Sequence, residues 1–195
     1  MKQSLLFATS NKGKINECNH IIELLDIAVK LEIIDQKYKE PVEDGNTYEE
    51  NSLIKAKYYA TLTNKITISD DSGLEVNALN KFPGLISARW AKEVGGISNA
   101  MDEIIKKLDN IEDRSAQFVC CFCLYNPQTH KYKHFTGVLK GSIANDKVRG
   151  EYGFGYDPIF IPEGYTQALS TLTSEEKNKI SHRKKALTKL LSEWK

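Results

Sequence analysis

The sequence has no excess of charge of either sign. It contains 27 Lys and Arg residues against 26 Asp and Glu residues, which gives a formal net charge of +1. A balanced charge provides no long-range attraction to nucleic acid or to an anionic membrane. We therefore expect neither a nucleic-acid polymer nor a membrane as a partner, and any anion-binding site must be local.

Long apolar runs are also missing. No stretch approaches the roughly 20 apolar residues that a membrane-spanning helix requires. The apolar run within residues 1–8 is shorter than that of a secretory signal and is not followed by a small-residue cleavage site. These absences predict a cytoplasmic protein. Without repeats, low-complexity tracts or linkers, residues 1–195 are expected to form a single domain, with two lobes sharing a core as the alternative.

Cysteine is scarce and badly spaced for a metal site. Of the four cysteines, three crowd into one apolar run at Cys120, Cys121 and Cys123, and Cys18 stands alone. A zinc site normally uses pairs separated by two or more residues and repeated elsewhere. We therefore predict reduced, buried thiols.

The stretch from Ile66 to Glu75 combines an apolar strand pattern with two acids. Residues 66–69 alternate as a buried strand, and Ser72-Gly73 predicts a tight turn directly after Asp70 and Asp71. Neighbouring residues on a strand point to opposite faces, so we expect one primary and one supporting carboxylate. A solvated turn remains the alternative.

Residues 9–14 form a polar turn between a predicted strand, Ser4 to Ala8, and a predicted helix. Backbone N–H groups and the positive end of a helix dipole favour anions, and Lys12 and Lys14 add full positive charge. The spaced glycines of a Walker loop are absent. An ordinary capped helix with surface lysines remains possible.

Three further segments carry candidate functional residues. Glu43 lies just ahead of a helix that Thr47 to Glu50 predict through a capping box, so it is either a dipole partner or a metal ligand opposite Asp71. Residues 150–158 interleave three glycines with three aromatic residues, which suits either a stacked base or core packing. Residues 173–195 read as helical with Ser181 as an internal cap, and the basic run that starts at His182 is typical of a solvated face.

The remaining pattern predicts an α/β chain. Its predicted elements are a strand at residues 28–34, helices at 47–63 and 98–108, and an antiparallel hairpin of strands 116–125 and 132–139.

Together these segments resemble the inosine triphosphate pyrophosphatase family, Ham1-like hydrolases of non-canonical purine nucleoside triphosphates. The matching motifs are Thr9-Ser10-Asn11 through Lys14; Glu43 before Glu50-Asn51 and Lys55-Ala56-Lys57; Asp70 to Leu74; Pro83-Gly84 through Ser87-Ala88-Arg89; Phe154 to Pro158; and Ser181-His182-Arg183. The family more often has Gly at the position of Ser10, and a tryptophan also occurs at that of Tyr156.

The resemblance implies a fold and a set of roles. The fold would be an elongated mixed β-sheet flanked by helices, with two lobes around a central nucleotide-binding cleft, in a homodimer. Glu43 and Asp71 would hold Mg²⁺, for which Mn²⁺ could substitute, and Asp71, Asp70 and Lys14 would be catalytic. The implied substrate-binding residues are Thr9, Ser10, Asn11, Lys12, Gly13, Lys14, Ser72, Arg89, Phe154, Gly155, Tyr156, Asp157, Lys177, His182 and Arg183.

The implied substrates are ITP, dITP and XTP, whose bases carry an oxygen at C6. N–H groups of His182, Arg183 or nearby backbone would donate hydrogen bonds to that oxygen and would oppose the amine of adenine. Two alternatives stay open: a related pyrophosphatase of modified pyrimidine nucleotides, and a nucleotide sensor without catalysis.

Overall fold

The computed structural model describes residues 3–35 and 37–194. The chain divides into two compact units. Unit 1 consists of Met1–Asp71, Cys120–Gly137 and Arg183–Lys195, and unit 2 consists of Ser72–Val119 and Val138–His182. Within the described part of the chain, no helix is long and apolar enough to cross a membrane.

Unit 1 is built on parallel strand pairs. Strand β1 (Gln3–Phe7) pairs in parallel with β2 (Val29–Ile33), and residues 6–7 pair in parallel with the start of β3 (Thr67–Val76). The hairpin strands β5 (Ser115–Asn126) and β6 (Lys131–Ile143) continue the order β2-β1-β3-β5-β6. The predicted first and second strands and the hairpin are therefore confirmed.

Helices complete unit 1, and side-chain caps mark the start of two of those among its described residues. Helix α1 (Lys12–Leu24) begins after Asn11, whose side chain accepts a hydrogen bond from the backbone N–H of Lys14. Helix α2 (Tyr48–Thr63) begins after Thr47, which accepts from the N–H of Glu50, and α6 spans His182–Glu193. The α1 face bearing Cys18 and Ile21 packs into a core with β1, β2 and α6.

Unit 2 combines antiparallel strand pairs with three further helices. Short strands β4 (Phe82–Pro83) and β7 (Phe160–Pro162) pair antiparallel with the ends of β3 and β6. The helices are α3 (Ser87–Glu93), α4 (Ile97–Lys107) and α5 (Ser174–Ile180), and four 3-10 turns cover Asn77–Leu79, Gly84–Ile86, Asp157–Ile159 and Leu169–Thr171. The strand pairs of both units make the sheet mixed, as predicted.

One prediction about the central stretch is wrong. The chain does not turn at Ser72-Gly73, because β3 continues unbroken from Thr67 to Val76. Asp70 and Asp71 thus lie in the middle of a strand rather than at its carboxyl end. A strand can carry buried acids there because both carboxylates have polar partners within unit 1, which the next section describes.

The cysteines and the C-terminal segment follow the sequence pattern. Cys18, Cys120, Cys121 and Cys123 are all buried and unpaired with one another. Ser181 has extended backbone and separates α5 from α6, as its proposed capping position implied.

Candidate active site

The polar turn between β1 and α1 presents backbone and hydroxyl groups at a helix N-terminus. Thr9 Oγ1 accepts a hydrogen bond from the N–H of Asn11 at 3.2 Å, and Ser10 Oγ donates to Glu40 Oε1 at 2.8 Å. Of the predicted set, Thr9, Ser10 and Asn11 thus lie in the turn before α1, and Lys12, Gly13 and Lys14 lie in its first helical turn. This arrangement suits an anion.

Asp70 is the most enclosed acid of unit 1. Asp70 is only 1% exposed, and its Oδ2 lies 2.9 Å from Lys14 Nζ and 3.3 Å from Arg183 Nη2. Burial alone would raise the pKa of this carboxyl, but Lys14 and Arg183 outweigh it and hold the pKa well below its usual range. Asp70 is therefore a fixed negative charge that holds Lys14 in place.

The second carboxylate, Asp71, has different partners and the opposite pKa shift. Asn51 Nδ2 donates to Asp71 Oδ2 at 3.1 Å, and the residue is 7% exposed. Burial raises the pKa of Asp71, and the favourable charges of Lys55 and Lys14 do not fully offset it. The two carboxylates have different environments because adjacent strand residues point to opposite faces. Their supporting and primary roles stay a prediction.

Glu43 belongs to the same group of charges. Lys55 Nζ donates to Glu43 Oε1 at 2.8 Å. Burial would lower the pKa of Lys55, but Glu43, Asp71 and Asp70 together raise it. Lys55 is thus a cation held among three acids, and Glu43 also acts on Asp71, whose pKa it raises.

Asn51 and Lys55 were not among the predicted site residues. Both belong to the quoted motif that follows Glu50, and a spacing of four residues places them on one face of α2. That shared face, directly after the Glu43 loop, was the signal that would have identified them.

The donor set is chemically suited to a small hard cation. No group of three or more His, Cys, Asp or Glu side chains able to hold a metal ion occurs among residues 3–35 and 37–194. Magnesium, however, is usually held by one or two carboxylates together with waters and substrate phosphates. Glu43 and Asp71 offer oxygen ligands of that kind. A cation beside them would favour the charged form of Asp71 and so lower its raised pKa.

Arg183 lies at the start of α6 as a buried partner of acids. Its Nη1 lies 2.6 Å from Glu17 Oε2, and its Nη2 contacts Asp70. Glu17 is a further buried acid that the sequence reasoning did not single out. These contacts give the guanidinium a neutralising role, and reading of a base by Arg183 stays a prediction.

Unit 2 holds a compact group around Asp157. The Asp157 carboxylate accepts hydrogen bonds from Lys177 Nζ and from the backbone N–H of Phe154, the latter at 2.7 Å. Lys177 Nζ also lies 4.5 Å from the centroid of the Phe154 ring. At Gly153 the backbone has φ +88°, and a Cβ there would lie 2.4 Å from Asp157 Oδ2. The loop and the ring are therefore fixed by one buried ion pair.

The glycine-rich loop buries Tyr156 rather than presenting it. This residue is 5% exposed and packs in the unit 2 core, and its hydroxyl donates to the backbone oxygen of Ser87 at 2.9 Å. Burial raises the pKa of the phenol. The ring therefore has little open surface for stacking, whereas the ring of Phe154 is half-buried.

The other unit 2 residues of the predicted set are scattered among its elements. Ser72 is half-buried on β3, Arg89 is exposed on α3, and Gly155 has φ +65°. His182 is buried and stacks on Phe118 with ring centroids 4.9 Å apart. Unit 1 thus brings the predicted acids and phosphate-binding residues together, and unit 2 brings together Phe154, Asp157 and Lys177.

Comparison with known proteins identifies the family. The profile of the Ham1 family matches residues 5–193. A dITP/XTP pyrophosphatase of Bacillus anthracis is 42% identical over 201 residues, covering 100% of this chain and 98% of that protein. The corresponding protein of Bacillus subtilis is 41% identical over 193 residues, with 97% and 96% covered.

Solved structures agree with the sequence comparison. The Ham1 protein of Staphylococcus aureus superposes with a TM-score of 0.84 at 38% identity, covering 97% of each chain. A nucleoside-triphosphatase described as a dITP/XTP pyrophosphatase from Mycobacterium abscessus gives a TM-score of 0.76 at 37% identity, covering 99% of this chain and 100% of that one. With matches of this extent in both sequence and structure, the chain belongs to the Ham1 family.

Proposed function

We propose that this chain hydrolyses non-canonical purine nucleoside triphosphates, ITP, dITP and XTP, to the nucleoside monophosphate and pyrophosphate, and so cleanses the nucleotide pool. Relatives matched along almost their whole length are dITP/XTP pyrophosphatases. The observation that carries the proposal is the group of Lys14, Lys55, Asp70, Asp71 and Glu43 within unit 1.

The phosphate tail binds at the turn of residues 9–14. The first N–H groups of a helix have no intrahelical acceptor, so the backbone N–H groups of Lys12 and Gly13 at the start of α1 can donate to phosphate oxygens. Asp70 holds the ammonium of Lys14 beside this turn, and Lys12 adds an exposed positive charge. The turn therefore binds a polyanion although the whole chain is almost neutral.

Glu43 and Asp71 hold the magnesium ion in this proposal, and Mn²⁺ can replace it. When bound, the ion neutralises phosphate charge that would otherwise be repelled by the carboxylates. Lys55 also adds positive charge near the phosphates, because its ammonium lies against Glu43 and its charge acts on Asp71. Calorimetric titration with MgCl₂ tests the assignment, and binding that survives in Glu43→Gln would contradict it.

Asp71 acts as the general base. It takes a proton from a water molecule whose oxygen bonds to the α-phosphorus, while the bond from that phosphorus to the bridging oxygen breaks and pyrophosphate leaves. The amide of Asn51 donates to Asp71 Oδ2 at 3.1 Å and so fixes this carboxylate in place to accept the proton. Asp70 does not share this role, because Lys14 and Arg183 hold its pKa low.

The residues that the family resemblance implies for the nucleobase bind it in this proposal. The half-buried ring of Phe154 offers a stacking surface, and the pair of Asp157 and Lys177 holds that ring in place. In this proposal His182 and Arg183 donate to the C6 oxygen, and Ser72 and Arg89 complete the contacts. Rejection of ATP follows from an unpaired donor opposite its amine.

A product assay tests the proposal. The protein is incubated with ITP, dITP, XTP, ATP, GTP and dUTP in the presence of magnesium, and pyrophosphate and orthophosphate are measured separately. We expect pyrophosphate from the first three. Orthophosphate alone, or preferred cleavage of dUTP, would overturn the proposal. Nucleotide binding without any hydrolysis would indicate a sensor.

The variant Asp71→Asn tests whether Asp71 is the general base. Loss of a general base lowers turnover by about 100- to 10,000-fold, and the variant should keep its fold. The exposed acid Asp109 provides the control, since Asp109→Asn should retain wild-type activity. Substantial turnover by Asp71→Asn would contradict the assigned role.

Two further parts of the proposal concern the cell and the assembly. A homodimer follows from the family resemblance, and light scattering measures the mass directly; the monomer mass is 22.1 kDa.

A cytoplasmic location agrees with four buried cysteines that form no disulfide. Cell fractionation tests the location.

A further inference from the structure

Asn51 connects two parts of the candidate active site with one buried amide. The residue is 1% exposed and lies in the first turn of α2. Its Oδ1 accepts a hydrogen bond from the backbone N–H of Gly45 at 2.9 Å, and its Nδ2 donates to Asp71 Oδ2 at 3.1 Å. Gly45 is two residues from Glu43 on the same loop, so a single side chain contacts both the loop of Glu43 and the carboxylate of Asp71.

The two partners decide the orientation of the amide. A backbone N–H only donates, and an ionised carboxylate only accepts, so the oxygen must face Gly45 and the nitrogen must face Asp71. Asparagine is suited to this position because it carries one acceptor and one donor at the same distance from the backbone. An ionised aspartate keeps the acceptor but loses the donor, and alanine loses both.

Packing at Gly45 makes the connection tight. A Cβ at this position would lie 2.6 Å from Glu50 Cβ and 2.8 Å from Asn51 Oδ1, both well inside van der Waals contact. The loop backbone thus lies directly against the first turn of α2. One helical turn further on, Lys55 binds Glu43 itself. Helix α2 therefore holds the loop at two points four residues apart.

We propose that Asn51 is a positioning residue for the reaction, which orients Asp71 and fixes the Glu43 loop relative to it. This inference rests on the proposed function. Asn51 acts through the carboxylate of Asp71 and the backbone of Gly45. Without its amide, the Asp71 carboxylate loses a donor that fixes its rotation, and the loop loses the bond at Gly45.

The experiment separates the two bonds with a pair of variants. Asn51→Asp keeps an acceptor for Gly45 and removes the donor to Asp71, whereas Asn51→Ala removes both. The matched control is Asn99→Ala, since Asn99 also uses Nδ2 but donates to a backbone oxygen on an exposed part of unit 2. The measurements are kcat and KM for dITP, the thermal midpoint, and hydrogen exchange of the Gly45 amide by NMR.

We expect both Asn51 variants to lose about 10- to 100-fold in kcat/KM, mostly through kcat, because partners that orient ligating groups typically have effects of this size. The Gly45 amide should stay protected in Asn51→Asp and exchange faster in Asn51→Ala. The control should match the wild type in every measurement. This pattern of kcat and amide exchange is not expected from a general loss of stability.

Two results would overturn the inference: an unchanged kcat/KM in Asn51→Asp, or an unchanged Gly45 exchange rate in Asn51→Ala. If neither variant folds, Gly45→Ala reaches the same contact from the loop, and wild-type kcat/KM in that variant refutes the inference. An inactive wild-type protein would instead refute the proposed function, while the Gly45 exchange data would still decide whether Asn51 holds the loop.

Discussion

Asp70→Asn should destabilise this protein far more than the same change at its neighbour. Asp70 is buried among two cations, Lys14 and Arg183, and Arg183 is also paired with Glu17. These four groups carry two positive and two negative charges. Removing the charge of Asp70 leaves this group with a net positive charge, because Lys14 loses its ion-pair partner and Arg183 keeps only Glu17.

The magnitude follows from that imbalance. Breaking a buried ion pair by removing one partner costs about 3–5 kcal/mol. In a chain of this size, 1 kcal/mol corresponds to about 2–4 °C in Tm. We therefore expect Tm to fall by roughly 6–20 °C. Asp71→Asn should leave Tm unchanged or raise it, because the raised pKa of Asp71 means that folding disfavours its charged form at neutral pH.

Calorimetry at pH 7 measures both variants against the wild type. Asp35→Asn serves as a second control, since Asp35 is paired with Lys37 at an exposed position and its loss should have little effect. The reasoning would be refuted if Asp70→Asn melted within 2 °C of the wild type, about the shift expected for 1 kcal/mol or less, or if Asp71→Asn were the less stable of the two.

The pKa of Asp70 also predicts how its contribution to stability changes with pH. The pKa of Asp70 is lower in the folded protein than in the unfolded chain, where it is about 3.9. Its stabilising contribution is therefore complete above that value and is lost as the pH falls below about 4. The difference in Tm between the wild type and Asp70→Asn should shrink between about pH 5 and pH 3. A constant difference across this range would contradict the assigned pKa direction.

Two other substitutions test residues whose positions the structure defines. Arg183→Ala should lower the ratio of kcat/KM for ITP over ATP by about 5- to 150-fold, since a lost donor to the C6 oxygen is worth about 1–3 kcal/mol; an unchanged ratio would show that Arg183 only neutralises Glu17 and Asp70. Tyr156→Phe removes the hydroxyl that binds the backbone oxygen of Ser87 but keeps the ring, so Tm should fall by about 2–12 °C. A Tm equal to that of the wild type would show that this bond contributes nothing to stability.

Local patterns were sufficient for most elements. Thr47 caps the helix that follows it, as the sequence pattern predicted, and Asn11 caps α1 in the same way. The alternating runs before and after residues 127–130 form the hairpin. Such elements depend on residues within a few positions of one another, so the sequence contains the information that fixes them.

Sequence motifs were also sufficient to identify the family and the set of charged residues. Glu43, Asp70, Asp71 and Lys14 are recognised from their motifs, and the structure brings their charges to act on one another within unit 1. Asn51 was missed because a buried amide with two partners looks like any other polar residue near a helix start. Its function depends on Asp71, which lies 20 positions away in sequence.

The sequence by itself determined the first two strands, the β5–β6 hairpin and helices α1, α2 and α4. It also determined the burial of the cysteines and the membership of the chain in its family. Only the tertiary structure decided that β3 continues through its two acids, because the cation that neutralises Asp70 from α6 lies 113 positions away along the chain. It also decided that Tyr156 is enclosed by the unit 2 core. The preference of Ser72-Gly73 for a turn comes from a few neighbouring residues. It is overridden because charges and apolar side chains from distant parts of the chain stabilise these residues in a buried strand.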